Sequence, residues 1–453
     1  MNEKNLGIMT HIVIKNVGPI KNVEFDLNKI NVFMGPQSSG KSTIAKIISY
    51  CSWYEKNYIL ESKPLKDFYG ELLEFHNLED SYFSDDSYIE YQSKNCHIVF
   101  NGRDKKDIKR TATVGSDNLF KNEKIEYIPA ERNVVAIAGI GEYNKTNNNI
   151  LGFLYEWYEA KREKKKESPY VLPLKTLGNI SYYYTQEDDA DHLILEDGKE
   201  IKLQHSSSGL ISITPLLLVY DYVLNGIYLK KRIKNPFETV NLRPKLDSYD
   251  EGLKERLEKM MNDLEENRSR LNKAKKIFKE LGDSMDDSVT KDVRSELDEI
   301  EKAMDKLQNE FNIEMGVDTN YNYSKVIIEE PELNLFPKTQ QELVYYMLSV
   351  LNSDERDHQL VLTTHSPYIL FALNNCMMGG LVKDNIPEKE RHSFVSQTAW
   401  IDPKKVSIYE IHDGSLQTIQ DEDGIIEDNY LNKAYKENSA EYLSLLNYFE
   451  DEE

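Results

Sequence analysis

Cysteines are scarce in the 453-residue sequence, and the three that it has, Cys51, Cys96 and Cys376, lie far apart. Metal sites and disulfide frameworks place cysteines at short, regular spacings, so we expect neither. Isolated thiols are typical of a reducing compartment. The first residues also lack the basic head and apolar core of a signal peptide. The sequence therefore predicts a cytoplasmic protein.

Long apolar runs and an excess of basic charge are missing as well. The longest apolar stretch, Leu210 to Leu224, contains Pro215 and Asp221 and is too short to span a bilayer, so no membrane association is expected. The chain has 56 basic and 78 acidic residues, which gives a formal net charge of −22. Because nucleic-acid phosphates bind basic surfaces, DNA is a possible partner that this charge does not favour.

The clearest chemical motif is a glycine-rich turn between a predicted strand and a predicted helix. Residues 35–43 read GPQSSGKST and fit the pattern GxxxxGK[ST] after the apolar strand INVFM. Such glycines let backbone N–H groups surround phosphate oxygens at a helix N-terminus. Lys41 is predicted to bridge the β- and γ-phosphates of ATP, and Ser42 to bind Mg²⁺. The predicted nucleotide-binding residues are Gly35, Pro36, Gln37, Ser38, Ser39, Gly40, Lys41, Ser42 and Thr43.

Two later apolar strands end in residues that complement this loop. VIIEE ends in Glu329, predicted to hold the Mg²⁺ shell, and Glu330, predicted to polarise the attacking water. LVLTT is followed by His365, about 35 residues further on, where a γ-phosphate sensor would lie. The plainer alternatives are solvated charges at a strand end and a structural histidine. Together with the P-loop, the pattern favours Glu330, His365 and Lys41 as catalytic residues.

Residues 249–311 differ from the rest of the chain. Apolar residues recur there in alternating steps of four and three, pause at GDSMDDS, and then resume. This spacing predicts an antiparallel helical hairpin with a coiled-coil seam. Two amphipathic helices packed on the domain are the alternative, although the high charge of the other faces favours a projecting arm.

Together these residues resemble the ABC-type ATPase fold of the SMC, RecN and OLD proteins, and in particular stand-alone "AAA family" ATPases of bacterial defence loci. The resemblance covers most of the chain, including IKNVGPI, GPQSSGKST, YIPAERN, HSSSG, IIEEPELNLFP, TTHSPYIL and VSIYEIHDGSLQTIQDEDGII. The coil inserted after HSSSG resembles the arrangement in the ATPase subunit of the PARIS anti-phage system. The implied fold class is α/β: an ABC-type P-loop ATPase head, with a mixed β-sheet, flanking helices, an antiparallel β-subdomain and an inserted coiled-coil hairpin.

The resemblance also implies a partner for the nucleotide site. Heads of this type form a homodimer around two ATPs, or a higher homo-oligomer, and each ATP contacts the signature segment of the other head. Ser207, Ser208 and Gly209 stand at that position, although HSSSG matches the usual LSGGQ only in part. A serine hydroxyl and N–H groups at a helix start suit a γ-phosphate. The Q-loop glutamine has no match, and Glu131 or Arg132 could replace it.

The resemblance divides the chain into five predicted parts. They are an ATPase lobe with the P-loop and β-subdomain (1–203), the signature helix region (204–248), the coiled-coil hairpin (249–311), the second half of the core (312–397) and a strand-rich piece with an acidic tail (398–453). Within them, residues 134–190 are predicted to be largely helical, and a hairpin is predicted at Asp197-Gly198. At the position of the family's D-loop, the segment ELNLFP carries Asn334, where related chains have other polar residues.

A nuclease module of the kind that OLD proteins append is missing, because no strand–helix alternation with an acid cluster follows His365. The favoured function is therefore a nucleotide-gated switch that controls an effector in trans, a nuclease or toxin, in bacterial anti-phage defence. The alternatives are a DNA-transacting repair ATPase of the SMC or RecN kind and a non-catalytic scaffold that binds ATP.

Overall fold

The computed structural model describes residues 9–60, 67–105, 108–112, 120–136, 149–187, 189–229, 317–446 and 448, with isolated positions between 255 and 306. For residues 317–320 it describes the backbone alone. The predicted coiled-coil hairpin at 249–311 lies almost entirely outside the described residues and stays a prediction. The predicted domain boundaries also stay predictions.

The described chain contains both strands and helices. The strands are β1 Thr10–Val17, β2 Ile20–Leu27, β3 Ile30–Met34, β4 Phe83–Gln92, β5 Cys96–Asn101, β6 Lys109–Ala112, β7 Phe120–Ile128, β8 Tyr170–Val171, β9 Ser181–Thr185, β10 Ala190–Ile194, β11 Glu200–Lys202, β12 Val317–Glu329, β13 Gln359–Thr364, β14 Val406–His412 and β15 Ser415–Thr418. The helices are α1 Lys41–Leu60, α2 Phe68–His76, α3 Asn149–Lys161, α4 Ser208–Leu224, α5 Pro337–Ser353, α6 Pro367–Val382, α7 Glu388–Arg391 and α8 Tyr430–Leu446.

A large mixed sheet forms the centre of the molecule, in the order β6-β5-β4-β1-β2-β15-β14-β3-β13-β12-β7. β14, β3, β13, β12 and β7 are parallel neighbours, whereas β2, β1, β4, β5 and β6 are antiparallel. A separate antiparallel sheet has the order β11-β10-β9-β8. The parallel half brings the carboxyl ends of distant chain segments to one edge.

Both faces of the parallel strands are covered, as their continuous apolar sequences predict. Successive side chains of β3 point to opposite faces: Val32 joins a core with α4, α5 and α6, and Phe33 joins a core with α1 and α2. Neighbouring strands repeat this alternation, with Ile328 on the first face and Ile327 on the second. The sheet is therefore fixed from both sides.

Most of the sequence-based elements are confirmed. β3 precedes the P-loop and α1 follows it, β10 and β11 form the hairpin at Asp197-Gly198, and β14 and β15 lie in the predicted strand-rich piece. The expectation of a largely helical 134–190 is wrong for the described part, where α3 is followed by β8 and β9. Aromatic SYYYT and the turn at Gly178 favour strands there, because tyrosines pack well on a sheet.

One described segment, Ser208–Tyr228, is long and apolar enough by composition to cross a membrane. It contains α4, and 67% of its most apolar window is buried inside the protein. Its apolar side chains Leu216, Leu217 and Val219 pack in the core with α5 and α6. The apolar composition of α4 therefore reflects a core position.

Candidate nucleotide site

Four parallel strands end at the same edge of the large sheet, and each leads into residues that the sequence analysis selected. β3 runs into the P-loop, β7 into residues 129–132, β12 ends at Glu329, and β13 runs towards His365. Because the carboxyl ends of parallel strands lie side by side, ligands bind in the crevice outside them. This edge is therefore the candidate site.

The P-loop, residues 35–43, turns tightly between β3 and α1. Gly40 has a φ of +107°, and a Cβ there would collide with the side chain of Ile20. A Cβ at Gly35 would lie 2.7 Å from the carbonyl oxygen of Ile411. Only glycine fits both positions without displacement of the neighbours. The loop thereby delivers the N-terminus of α1, with its free N–H groups, to the sheet edge.

Lys41, the first residue of α1, places its ammonium group inside the curl of this loop. Nζ donates to the carbonyl oxygens of Gly35 at 3.0 Å and Pro36 at 2.9 Å, and lies 3.3 Å from Nδ1 of His365. Burial lowers the pKa of Lys41 to about 8, although the nearby carboxylates oppose the shift. The ammonium group can exchange these carbonyl contacts for stronger ones to phosphate oxygens.

Glu330 and His365 touch across the ends of β12 and β13. Oε1 of Glu330 lies 3.3 Å from Nε2 of His365, and this contact lowers the pKa of Glu330. A charged lysine can only donate, so Nδ1 of His365 accepts from Lys41 and Nε2 carries the proton that it donates to Glu330. Glu330 also has a φ of +44°, an unusual conformation for a residue with a side chain. The imidazole thus joins the lysine to the glutamate.

Arg132 supports this turn from inside the protein. It is fully buried, and its guanidinium group donates to the carbonyl oxygens of Glu329 at 2.9 Å, Glu330 at 2.8 Å and Ser212 at 3.1 Å. Burial lowers the pKa of Arg132 to about 10, so it stays charged at neutral pH. Through these backbone contacts, Arg132 connects the turn after β12 to α4. Glu131 is the other residue considered for the Q-loop position, and its side chain is exposed.

Glu329, the last residue of β12, offers an oxygen that suits a metal ion. Its Oε1 is buried without a hydrogen-bond partner among the described residues. Burial and then the Glu329 carboxylate raise the pKa of the neighbouring Tyr127. Mg²⁺ prefers oxygen ligands, so Glu329 and the exposed hydroxyl of Ser42 fit this ion. The described residues contain no group of three or more His, Cys, Asp or Glu that could hold a metal.

Two further residues at this edge were not selected from the sequence. Oε1 of Glu332 accepts from Oγ1 of Thr364 at 2.8 Å and from the N–H of His365 at 2.7 Å. The hydroxyl of Tyr430 donates to the carbonyl oxygen of Gly35 at 3.1 Å. The third acid in EEPEL was a visible signal for Glu332. Nothing in the sequence marks Tyr430, which is 395 residues from its partner.

Ser207, Ser208 and Gly209 begin α4. Ser207 is its N-cap, and Oγ accepts from the N–H of Leu210 at 3.3 Å. Both serines are exposed, whereas Gly209 packs so closely that a Cβ would lie 3.0 Å from the carbonyl oxygen of Asn334. Within the described residues, no hydrogen bond joins this segment to the P-loop or to the paired acids. The serines therefore face outwards.

Comparison with known protein families agrees with this site. A family model described as "AAA domain" matches residues 11–314, and a second, described as "AAA ATPase domain", matches residues 311–370. The first match covers more than half of the chain and contains the P-loop, and the second contains the paired acids and His365. The chain belongs to the AAA domain family. A comparison with curated proteins gives no match.

Solved structures with similar folds include the SMC head domain from Thermotoga maritima, which is 7% identical, with a TM-score of 0.35 and coverage of 91% of this chain and 99% of that one. The recombination mediator protein RecF-ATPrS is 11% identical, with a TM-score of 0.28 and coverage of 91% and 99%. A nucleotide-free ATP-binding cassette from an ABC transporter is 10% identical, with a TM-score of 0.23 and coverage of 90% of each chain. The sheet order and P-loop position carry the assignment: the predicted α/β P-loop head of ABC type, with a large mixed sheet and a small antiparallel one, is confirmed.

Proposed function

We propose that this protein binds ATP together with Mg²⁺ and hydrolyses the nucleotide. The observation that carries the proposal is the chain of contacts from Lys41 through His365 to Glu330 at the strand ends. Lys41 would turn from the loop carbonyls to the β- and γ-phosphates, and His365 would contact the γ-phosphate. Glu330, ionised because its pKa is lowered, would orient the attacking water. Bound Mg²⁺, held by Ser42 and Glu329, would neutralise charge on the phosphates.

We further propose that a second copy of the chain completes the site. Ser207 and Ser208 are exposed at the N-terminus of a 17-residue helix, where hydroxyl and N–H groups suit a phosphate. Among the described residues, no hydrogen bond joins them to the P-loop of their own chain, which leaves them available to contact the nucleotide of a partner. The assembly would be a homodimer around two ATPs or a higher homo-oligomer.

The first test is hydrolysis by the purified full chain. We expect Mg²⁺-dependent release of phosphate from ATP by the wild type and none by Lys41→Ala, because that variant loses the charge that holds the phosphates. Binding of a fluorescent ATP analogue should fail in the same variant. A wild type that releases no more phosphate than Lys41→Ala, although it binds the analogue, would contradict hydrolysis.

We propose that the nucleotide cycle controls a separate effector, a nuclease or a toxin, in bacterial anti-phage defence. The proposal follows the resemblance to the ATPase subunits of defence systems such as PARIS. Tagged protein purified with ATP should retain an effector that ADP releases. Several-fold, salt-sensitive stimulation of hydrolysis by duplex DNA, without such a partner, would instead support a DNA-transacting repair ATPase.

A further inference from the structure

Glu332 lies two residues after Glu330, and the proposed ATPase cycle gives it no role. One carboxylate oxygen, Oε1, accepts both the Thr364 hydroxyl at 2.8 Å and the His365 N–H at 2.7 Å. The other, Oε2, is buried without a hydrogen-bond partner among the described residues. Burial raises the pKa of Glu332. Among the described residues, Oε1 therefore accepts both hydrogen bonds that this side chain makes to the end of β13 and to His365.

These bonds fix the segment that carries the histidine. The N–H of Ser366 donates to Oγ1 of Thr364 at 3.0 Å, and the Ser366 hydroxyl donates to Gln340 on α5. Glu332 thus ties the turn after β12 to Thr364, the last residue of β13, and to His365, which are 32 and 33 positions away along the chain. Because its backbone N–H is held, His365 projects its side chain from a fixed point.

The position of the His365 imidazole is sensitive to this support. Its two nitrogens lie 3.3 Å from Nζ of Lys41 and 3.3 Å from Oε1 of Glu330. Both separations are at the long end of the hydrogen-bond range, so a small displacement of the ring would break at least one contact. A misplacement of about 1 Å in a catalytic group can cost roughly 100-fold in rate.

We propose that Glu332 is the positioning residue for His365: its carboxylate oxygen fixes the backbone at Thr364 and His365, so that the imidazole spans Lys41 and Glu330. The kinetic consequence rests on the proposed function, whereas the position of the ring does not. The interaction needs an acceptor oxygen and no negative charge, so glutamine can replace glutamate and alanine cannot.

The kinetic test compares Glu332→Ala with Glu332→Gln. We expect alanine to lower kcat by roughly 10- to 100-fold and to change ATP affinity by less than about twofold, because the phosphate-binding loop is untouched. Glutamine should restore most of the rate. The matched control is Glu342→Ala, which also removes an oxygen that accepts a backbone N–H, from Thr176 at 2.9 Å, but outside this edge. Glutamine no better than alanine would overturn the proposal.

A double-mutant cycle separates positioning from general stability. If Glu332 acts through His365, then Glu332→Ala should lower the rate little further in a His365→Ala background, because the ring that it orients is gone. If the two substitutions lower the rate by factors that multiply in the double variant, then Glu332 acts independently of the histidine, and the proposal is overturned. Single-turnover phosphate release keeps the slow variants measurable.

The third test is independent of hydrolysis. In protein labelled with ¹³C-histidine, the signal that disappears in His365→Gln is assigned to His365. We expect this signal to move in Glu332→Ala and to stay in place in Glu332→Gln, and an unchanged signal in the alanine variant would overturn the proposal. Glu332→Met, which fills the space without an acceptor, replaces alanine if that variant does not fold. A wild type without ATPase activity would contradict the proposed function, while the signal still decides the role of Glu332.

Discussion

Similar charged side chains lie at the two ends of the parallel part of the sheet, but they differ in burial and in ion pairing. At the amino end of the stretch over which β12 and β13 pair, Lys325 lies opposite Gln359, the first residue of β13. Nζ of Lys325 lies 3.1 Å from Oε2 of Glu123 and donates to Oγ of Ser52 at 2.8 Å. Nearby, Nζ of Lys124 lies 2.8 Å from Oε1 of Glu156. All four charged side chains are at most 4% exposed. Each of these two lysine ammonium groups is matched by a carboxylate.

At the carboxyl ends, the side chains of the one ion pair are more exposed to solvent, and the pairing of charges is less complete. The side chains of Glu330 and His365 are 33% and 31% exposed, and they meet at 3.3 Å. Lys41 donates to backbone carbonyls and to the histidine rather than to a carboxylate. α1 connects the two regions, because Lys41 begins it and Ser52 lies in its second half. Removal of one partner from a buried ion pair destabilises a fold, whereas incomplete pairing at an open edge leaves groups available for a ligand.

The largest expected effect comes from the amino end. Lys325→Met leaves Glu123 buried without its ammonium partner, and we expect the free energy of unfolding to fall by about 3–5 kcal/mol. Chemical denaturation followed by circular dichroism measures this change. ATP affinity at a temperature where the variant is folded should not change, since the P-loop is untouched.

The matched control is an ion pair on the surface. Lys199 lies 2.7 Å from Asp197, but these side chains are 77% and 52% exposed. Lys199→Met should leave the unfolding midpoint unchanged, because solvent screens exposed pairs. Equal losses of unfolding free energy in Lys325→Met and Lys199→Met would contradict the distinction between buried and exposed ion pairs.

At the carboxyl end, Glu330→Gln should act on rate rather than on stability. We expect kcat to fall by roughly 100- to 1,000-fold because the carboxylate that orients the water is lost. ATP binding should persist, and an ATP-bound dimer should accumulate, measured by light scattering. Glu388→Gln, an exposed acid far along the chain, is the control. Unchanged turnover in Glu330→Gln would support the alternative of a non-catalytic scaffold.

The carboxyl end was more predictable from sequence than the amino end. Local patterns identified the P-loop, the paired acids and His365, because each follows an apolar strand directly. The contacts that hold them, from Arg132 to the turn and from Glu332 to His365, join strands that only tertiary structure brings together. The buried pair of Lys325 and Glu123 is equally hidden, since their positions are about 200 residues apart. The prediction of helix for the tyrosine-rich strands after α3 is wrong, because short apolar patterns do not distinguish a helix from a strand.

A smaller effect is expected at the signature serines. Ser207→Ala together with Ser208→Ala should spare ATP binding and impair hydrolysis, although loss of the N-cap would also destabilise α4 by about 1 kcal/mol. Ser207→Gly separates the two causes, since glycine caps a helix almost as well but has no hydroxyl. Reduced hydrolysis with an unchanged melting temperature in Ser207→Gly would support contact with a partner's nucleotide. Unchanged hydrolysis in the double alanine variant would contradict it.

The smallest effect concerns the pH dependence of ATP binding. Burial lowers the pKa of Lys41 to about 8, so the ammonium form that binds phosphate is complete below that value and is lost above it. The dissociation constant for ATP should therefore rise by about fourfold between pH 7 and pH 8.5 and then by roughly tenfold per unit, until the pKa of the bound state is reached. Lys41→Arg is the control, because arginine stays charged throughout this range. An equal rise in the arginine variant would assign the dependence to another group. The difference between the two curves isolates Lys41, which forms no ion pair with a carboxylate among the described residues, whereas Lys325 at the opposite end pairs with Glu123.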